Sequence, residues 1–521
     1  SFITGTILLS MTEQKVQQQD ESQLVAARRA KMDRWAEDLG VYPWGHREDG
    51  LTSLADAKAM FDQAAHDAQR EEGAEDTRPR VKVAGRCIQH RAMGKLTFLV
   101  IRDDSGDLQI SCSKAALPEE QFKVAKKLDY GDIIVAEGAV GATQKGEICV
   151  WADRFELACK SLVPPPEKFH GLSDTELRYR QRYMDMYSNP ETIETFRMRS
   201  NIVSSIRAFM DAQQYLEVET PMMQPLAGGA AARPFQTHHN ALDMSLFLRI
   251  APELYLKRLL VGGMRKVYEI NRNFRNEGVS RRHNPEFTML EAYQAFGDCE
   301  TMLTLTEEMI RESAKVVGDP AAISFGEHAI DYSKPFERIS YGVLFENATG
   351  VSMSDESAVR AKAAELHIAG ADKRNHWLLV ADLFEEVAEG SIDPSRPTFV
   401  TDFPSAISPL TRPQKDDATL SYRWELFIAD MEIANAYTEL NDPDLQLQLF
   451  TEQLEGEDDE VAAFRTLDED FIHALRVGMP PAGGLGLGID RLVMLLTGNE
   501  SIRDVILFPL MRSQETQSDD S

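Results

Sequence analysis

The sequence predicts an α+β protein in which a small closed β-barrel precedes one large mixed domain. Three observations carry this. Residues 81–160 hold five short β-type runs with one helical piece before the fourth. From about residue 187 onward, helical periodicity mixes with alternating runs. Between them, Pro164-Pro165-Pro166 reads as a stiff linker. At 521 residues the chain has ample capacity for a buried core. It is 43% hydrophobic and 27% charged, and no run approaches the ~18 apolar residues a membrane span needs. Its five cysteines (Cys87, Cys112, Cys149, Cys159, Cys299) are odd in number and form no C-x-x-C pair. That argues against a disulfide framework or a zinc site and suits a reducing cytoplasm.

Taken in order, residues 1–10 lie ahead of Met11, lack the basic start of a signal peptide and read as an upstream remnant. Residues 11–78 form a charged, Ala- and Gln-rich helical extension with Trp35, Tyr42 and Trp44 as expected packing anchors. Residues 79–162 follow, with strand-like runs at 81–88, 96–103, 108–113, 132–140 and 148–152 and a helix at 119–128. Five short strands with a helix before the fourth suit a barrel of the OB type. The stretch 163–186 is a linker rich in Lys and Arg. The large domain spans 187–513, with a helical insertion within about 300–420, and 514–521 reads as a disordered acidic tail. In the large domain, Phe196, Val203, Ile206 and Met210 recur at helical spacing, and Tyr215 to Pro221 alternates like a strand.

The chain is acidic, with net charge -28, which excludes general coating of nucleic acid. Yet Arg249 to Arg282 holds nine basic residues against three acidic ones, a positive focus that would draw an anionic ligand to one place. The competing reading is a solvated basic face. Alternation decides between them. Lys266 to Glu277 puts Glu269, Asn271, Asn273, Arg275 and Glu277 on one strand face, and Glu286 to Phe296 puts Phe287, Met289, Glu291 and Tyr293 on one face. A Gly-, Ser- and Pro-punctuated loop joins the two runs as a long hairpin. A guanidinium, a ring and carboxylates on one face suit a polyphosphate, a flat base and an ammonium group.

Two further constellations carry chemistry. Gly483-Gly484-Leu485-Gly486-Leu487-Gly488-Ile489-Asp490-Arg491 allows close backbone approach and leads into an apolar helix. Arg491 at a helix start opposes the helix dipole, which points to a ligand. No Lys-Ser/Thr follows these glycines, so the run is not a P-loop. In Trp424 to Asp442, Glu425 and Glu432 flank a turn near Ala429-Asp430, and a hairpin would set the two carboxylates opposite each other as ligands for Mg²⁺. Asn435, Tyr437 and Glu439 alternate onto one face; an edge strand with a polar outer face is the alternative. Glu253 opens an apolar helix after Pro252, where a glutamate ordinarily just complements the dipole. In the barrel, Phe98 with Arg91 and Gln109 suits stacking and edge-reading of single-stranded bases, against a core Phe.

These pieces resemble the three motifs of class II aminoacyl-tRNA synthetases: residues 210–221 ending at Pro221, Arg275-Asn276-Glu277 through Phe287, and Gly486 to Arg491. The runs 282–288, 251–256 and 438–442 are similar to the bacterial type of lysyl-tRNA synthetase. The resemblance covers about residues 30–512. It implies a catalytic domain built on an antiparallel β-sheet flanked by helices, a homodimer, and lysine, ATP, Mg²⁺ and tRNA(Lys) as ligands. No DNA or membrane partner is implied. For catalysis it implies Arg275 and Arg491, with no general base. For ATP it implies Arg275 on the α-phosphate and Arg282 and His283 on the outer phosphates. Glu277 would bond the adenine amino group, with Asn284 in the same loop, and Phe287 and Arg491 would stack on the base. Glu425 and Glu432 would hold Mg²⁺. Glu291 and Glu439 would receive the ε-ammonium, with Tyr293, Asn435 and Tyr437 shaping the pocket and Glu253 and Gly229 at the α-amino end. Phe98, Arg91, Gln109 and Glu147 would read a uridine-rich anticodon. The chain departs from the pattern at Met431, where relatives commonly have Arg. The alternatives are an aspartate or asparagine ligase, a truncated relative that modifies elongation factor P, and a non-catalytic OB-type RNA-binding or regulatory protein. The barrel argues against the truncated relative.

Overall fold

The computed structural model describes residues 23–69, 75–165, 172–229, 232–368, 370–454 and 467–513. The readings of residues 1–10, of the linker at 166–171 and of the tail at 514–521 lie outside these residues. The chain divides into two compact units, 1–193 and 194–521.

In the first unit the alternating runs become a barrel of five strands: Arg80–Met93, Leu96–Asp103, Gly106–Ser113, Ile133–Ala142 and Ile148–Cys159. The first strand pairs with both the second and the fourth, so the ladder closes and leaves no edge. Period-two alternation sends Val83, Leu99, Ile101, Ile110 and Val150 inward. Helix Glu119–Lys126 adds Phe122 to that core, and the helix at 23–39 adds Trp35. Tyr42 and Trp44 do not anchor anything: they are 54% and 49% exposed, and Tyr42 stacks on His46. The helix that seats Trp35 ends at 39, and no regular element follows until Leu54 to press the two later rings inward.

The second unit is built on an eight-stranded sheet. Its order is Glu337–Ser340, Thr398–Thr401, Arg423–Ile428, Met431–Thr438, Ala482–Gly488, Glu286–Ala295, Lys266–Phe274 and Leu216–Glu217. The six central strands pair antiparallel, and the strand at each edge pairs parallel. Alternation again separates two faces. Tyr268, Leu290, Ala292, Leu485, Leu487, Ala434, Ala436 and Leu426 face a core shared with helices Pro190–Ala212, Cys299–Val317 and Ile489–Thr497. Ile202, Ile206 and Met210 from the first of these are fully buried, each worth about 1.5–3 kcal/mol in apolar burial. Helices Glu253–Val261 and Glu469–Gly478 form a separate core with Val267 and Tyr293.

Several expected spans are shorter. Strand 266–277 stops at Phe274, although Arg275 N still donates to Pro285 O at 2.9 Å. Strand 215–221 shrinks to Leu216–Glu217, because its parallel partner offers only two rungs. The polar strand 431–438 is central, not an edge: it is paired on both sides.

Candidate active site

Cross-strand pairs share a face, so the register can be read as rows across the sheet. One row runs Glu269, Glu291, Gly486, Asn435, Glu425. The next runs Val267, Tyr293, Gly484, Tyr437, Arg423. The glycines fall on the middle strand and open a furrow between two polar flanks. A Cβ on Gly484 would overlap Glu439 Oε1 and stand 2.6 Å from Tyr293 Cε1; one on Gly486 would stand 3.3 Å from Asn435 Oδ1. The glycine run is therefore a strand whose missing side chains are the site's floor, and its helix, Ile489–Thr497, begins directly after it.

At one end of the furrow lies a pocket lined by Arg275, Glu277, Arg282, His283, Asn284, Phe287, Glu432, Asn435 and Arg491. The Arg275 guanidinium sits 5.2 Å from the Phe287 ring centre, and its Nε has no partner among the described residues. Arg491 Nη1 donates to the Glu432 carbonyl at 2.5 Å, and Nη2 lies 2.9 Å from His283 Nε2. Burial first, then the neighbouring guanidinium of Arg491, holds the His283 imidazole below its usual value. A neutral ring must accept at Nε2, since arginine only donates, so Nδ1 carries the proton toward Ser280 Oγ at 2.9 Å. Burial also lowers Arg491, with Arg275 and Arg282 adding to the effect. Arg282 and Arg491 bond backbone carbonyls, and no ion pair holds Arg275, Arg282 or Arg491 among the described residues, which suits an incoming polyanion. Asp490 accepts from the Thr288 backbone at 2.7 Å and pairs with Arg199, fixing the helix start to the neighbouring strand. Glu277 and Arg282 are exposed on the loop, and Arg282 donates to the Asp430 carbonyl. Asn284 is buried and bonds the Glu286 carbonyl.

The turn at Ala429-Asp430 is present, both residues having positive φ (51° and 56°), as a two-residue hairpin of the mirror-image kind requires. It does not set the two glutamates opposite each other. A two-residue turn at 429–430 sets Glu432 opposite Phe427 and would set Glu425 opposite Ala434; the register shift between Leu426 and Phe427 only moves Glu425 one residue further, to Asn435. Glu432 still acts on Glu425: burial first, with Glu432 contributing, pushes Glu425 up to about 7 despite Arg423 beside it. Glu389, on the short helical turn Glu389–Ser391, is likewise pushed up to about 7 by burial and by Glu425, Glu385 and Glu432. Mutually repelling carboxylates are the deficit a divalent cation relieves, so Glu425 and Glu432 fit Mg²⁺. Among the described residues no group of three His, Cys, Asp or Glu could hold a metal alone. Met431 is buried in the apolar core, and a guanidinium beside Glu425 comes from Arg423 instead. Arg423 and Glu389 were not singled out in the sequence.

The other end of the furrow gathers the remaining residues. Tyr293 OH donates to Glu291 Oε2 at 3.2 Å. Burial first, then Glu253, pushes Glu291 up to about 8. Glu439 is fully buried and pushed up to about 7 by burial, with Lys257 opposing. Gly229, at φ 87°, brings its backbone against Glu253, where a Cβ would stand 3.3 Å from Glu253 Cβ. Glu253 is 5% exposed and is no surface dipole partner: Lys257 Nζ donates to its Oε1 at 2.6 Å. Lys257, which the sequence reading passed over, could have been found from its spacing, four residues after Glu253 on an otherwise apolar helix face.

On the barrel, Arg91 and Phe98 are cross-strand partners, and Gln109 pairs with Val100 two positions from Phe98. Phe98 points away from the core residues Leu99 and Ile101 and is partly exposed, so it is not a core Phe. The Gln109 side chain reaches the thiol of Cys149. Glu147 is exposed in the turn that leads to Cys149, the residue paired with Gln109. Trp151, missed in the sequence, pairs with Ser111, which pairs with Phe98, so a second aromatic ring shares this outer row.

Comparison with known proteins agrees with both units. Residues 174–512 match the family described as tRNA synthetases class II (D, K and N), and residues 81–162 match the OB-fold nucleic acid binding domain. The chain is 49% identical to the lysine–tRNA ligase of Carboxydothermus hydrogenoformans over 503 residues, 96% of this chain and 100% of that one. It is 48% identical to the lysine–tRNA ligase of Pelotomaculum thermopropionicum over 513 residues, 98% of each chain. It is 46% identical to that of Bordetella bronchiseptica, with 95% and 98% covered.

Proposed function

The chain belongs to the lysine–tRNA ligase family of class II tRNA synthetases, and from that premise we propose that the furrow activates lysine with ATP and passes the lysyl group to the 3′ end of tRNA(Lys). The observation that supports the assignment of roles is the furrow's polarity: guanidiniums and a ring at one end, three buried carboxylates at the other. The lysine carboxylate is itself the nucleophile toward the α-phosphorus, so no general base is needed, and catalysis is positioning plus charge stabilisation. Arg275 binds the α-phosphate; Arg282 and His283 reach the outer phosphates. Phe287 and Arg491 hold the adenine between them, with Glu277 on its amino group and Asn284 beside it. Glu425 and Glu432 would hold Mg²⁺, which would supply charge neutralisation on the phosphates.

Glu291 and Glu439 take the ε-ammonium, lined by Tyr293, Asn435 and Tyr437, while Glu253 and Gly229 take the α-amino end. A site of buried carboxylates rejects uncharged or acidic side chains far more strongly than a size difference would. Phe98, Arg91, Gln109 and Glu147 read the anticodon. No helix among the described residues is long and apolar enough to cross a membrane, and we place the enzyme in the cytoplasm as a homodimer. ATP–pyrophosphate exchange with lysine, aspartate and asparagine tests the reading: exchange with lysine alone is expected, and exchange with aspartate or asparagine instead would overturn it.

A further inference from the structure

We propose that Lys257 is a positioning residue for lysine selection: its ammonium ties Glu253 to Glu439, offsets one of the pocket's three carboxylates and, once Glu291 ionises against the substrate, leaves one negative charge for each ammonium of the substrate. The inference rests on the reading of Glu253, Glu291 and Glu439 as the lysine pocket.

The geometry is specific. Lys257 Nζ lies 2.6 Å from Glu253 Oε1 and 2.6 Å from Glu439 Oε2, and neither Lys257 nor Glu439 has any exposed surface. The two carboxylates belong to different elements, helix Glu253–Val261 and the chain just past strand Met431–Thr438. Among the described residues the Lys257 ammonium is what joins them. With Oε2 engaged, Glu439 turns Oε1 toward the space over Gly484, where it has no partner among the described residues. That free oxygen is where a substrate ammonium would bind. The Phe471 ring, 6.0 Å from Nζ, closes the far side of Lys257.

Charge makes the same point. An ammonium in a dry site is ordinarily driven toward neutrality, but the two carboxylates reverse the effect of burial and hold Lys257 above its usual value. The groups facing this cluster from the packed elements are Glu291 and Tyr293 on one strand, Tyr437 on the next, and Arg412 near Glu439. Arg412 is the other cation acting on Glu439, and it is the weaker influence. Without Lys257, Glu439 would rise further and carry a proton at neutral pH. A protonated Glu439 does not attract an ammonium.

The test is steady-state ATP–pyrophosphate exchange across pH 6.5–9.5 with wild type, Lys257→Met and Lys257→Arg. In Lys257→Met the KM for lysine is expected to rise roughly 10²-fold at pH 7 and to recover as pH rises, its limb displaced to the alkaline side of wild type. The KM for ATP should stay within about 3-fold, since the cations of the ATP end are untouched. Lys257→Arg, which keeps the charge, should keep the wild-type limb. A lysine KM for Lys257→Met close to wild type, with the same pH limb, would overturn the proposal; so would an equal loss in lysine and ATP binding. Should Lys257→Met not fold, Glu439→Gln and Lys257→Met/Glu439→Gln decide. If Lys257 acts through Glu439, the double variant binds lysine no more weakly than Glu439→Gln; a further tenfold loss refutes it. Wild-type exchange with lysine is measured first, so its failure strikes the assignment of the pocket, whereas failure confined to Lys257 strikes only this inference.

Discussion

Glu291 shows how one side chain ties chemistry to stability. Its carboxyl, pushed up to about 8 by burial and by Glu253, keeps a proton in the folded chain that the unfolded chain has already lost above about pH 4.5. A raised acid contributes stability at low pH and loses it as pH climbs through the folded value. The ligand-free protein should therefore melt at lower temperature as pH rises from 4.5 to about 8, and Glu291→Gln should make that fall shallower. Under the proposed role of Glu291, lysine binding would have the opposite sign, because the ammonium needs the ionised acid. Melting curves at several pH values, with and without lysine, check both; a steeper fall in the variant would contradict the account. Gly484 is the complementary residue. A methyl there collides with Glu439 and the Tyr293 ring, both held in place. Gly484→Ala should raise the KM for lysine by roughly 10²-fold or more and leave the KM for ATP near wild type.

At the scale of elements, the hairpin Arg423–Ile428 and Met431–Thr438 carries Glu425 and Glu432, the proposed metal ligands, and its turn is strained. Ala429 and Asp430 both have positive φ without being glycine. A β-branched residue tolerates that region worst, so Ala429→Val should cost about 1–2 kcal/mol, read as a lower urea midpoint. Exchange activity should fall with it, since Arg282 bonds the Asp430 carbonyl. The hairpin also marks how far the sequence could be read. Alternation in Asn435, Tyr437 and Glu439 shows a strand face, and the turn between Ile428 and Met431 is legible from the reversal of pattern. The bulge at Leu426/Phe427 is not, because nothing local distinguishes it; the register arises from pairing with strands on both sides. Lys257 escaped for a related reason. A lysine on a helix reads as solvated until its distant partner Glu439, 182 positions away in the chain, is placed against it. Tyr42 and Trp44 failed in the reverse sense: large rings read as anchors, but an anchor needs an element behind it. Glu385 and Glu389 lay in a stretch whose helices carry no chemical pattern of their own.

For the whole molecule, two units carry separable tasks. The barrel sets the half-buried Phe98 and Trp151 on one outer row, and in the proposed reading their rings would stack on bases. Phe98→Ala and Trp151→Ala should each lower the rate of tRNA lysylation about tenfold or more, while lysine-dependent exchange stays intact. Loss of exchange in either variant would show that the barrel's role is not confined to tRNA. The overall charge of -28 makes the basic end of the furrow the exception on an acidic chain, and in the proposed reading that end would draw ATP and the carboxylate end would draw lysine. The most direct test of that polarity is a crystal structure of the chain with lysine and a non-hydrolysable ATP analogue. The account predicts the ε-ammonium about 3 Å from both Glu291 and Glu439, with the adenine between Phe287 and Arg491. An ε-ammonium lodged instead against Glu425 and Glu432, with Glu291 and Glu439 unengaged, would contradict it.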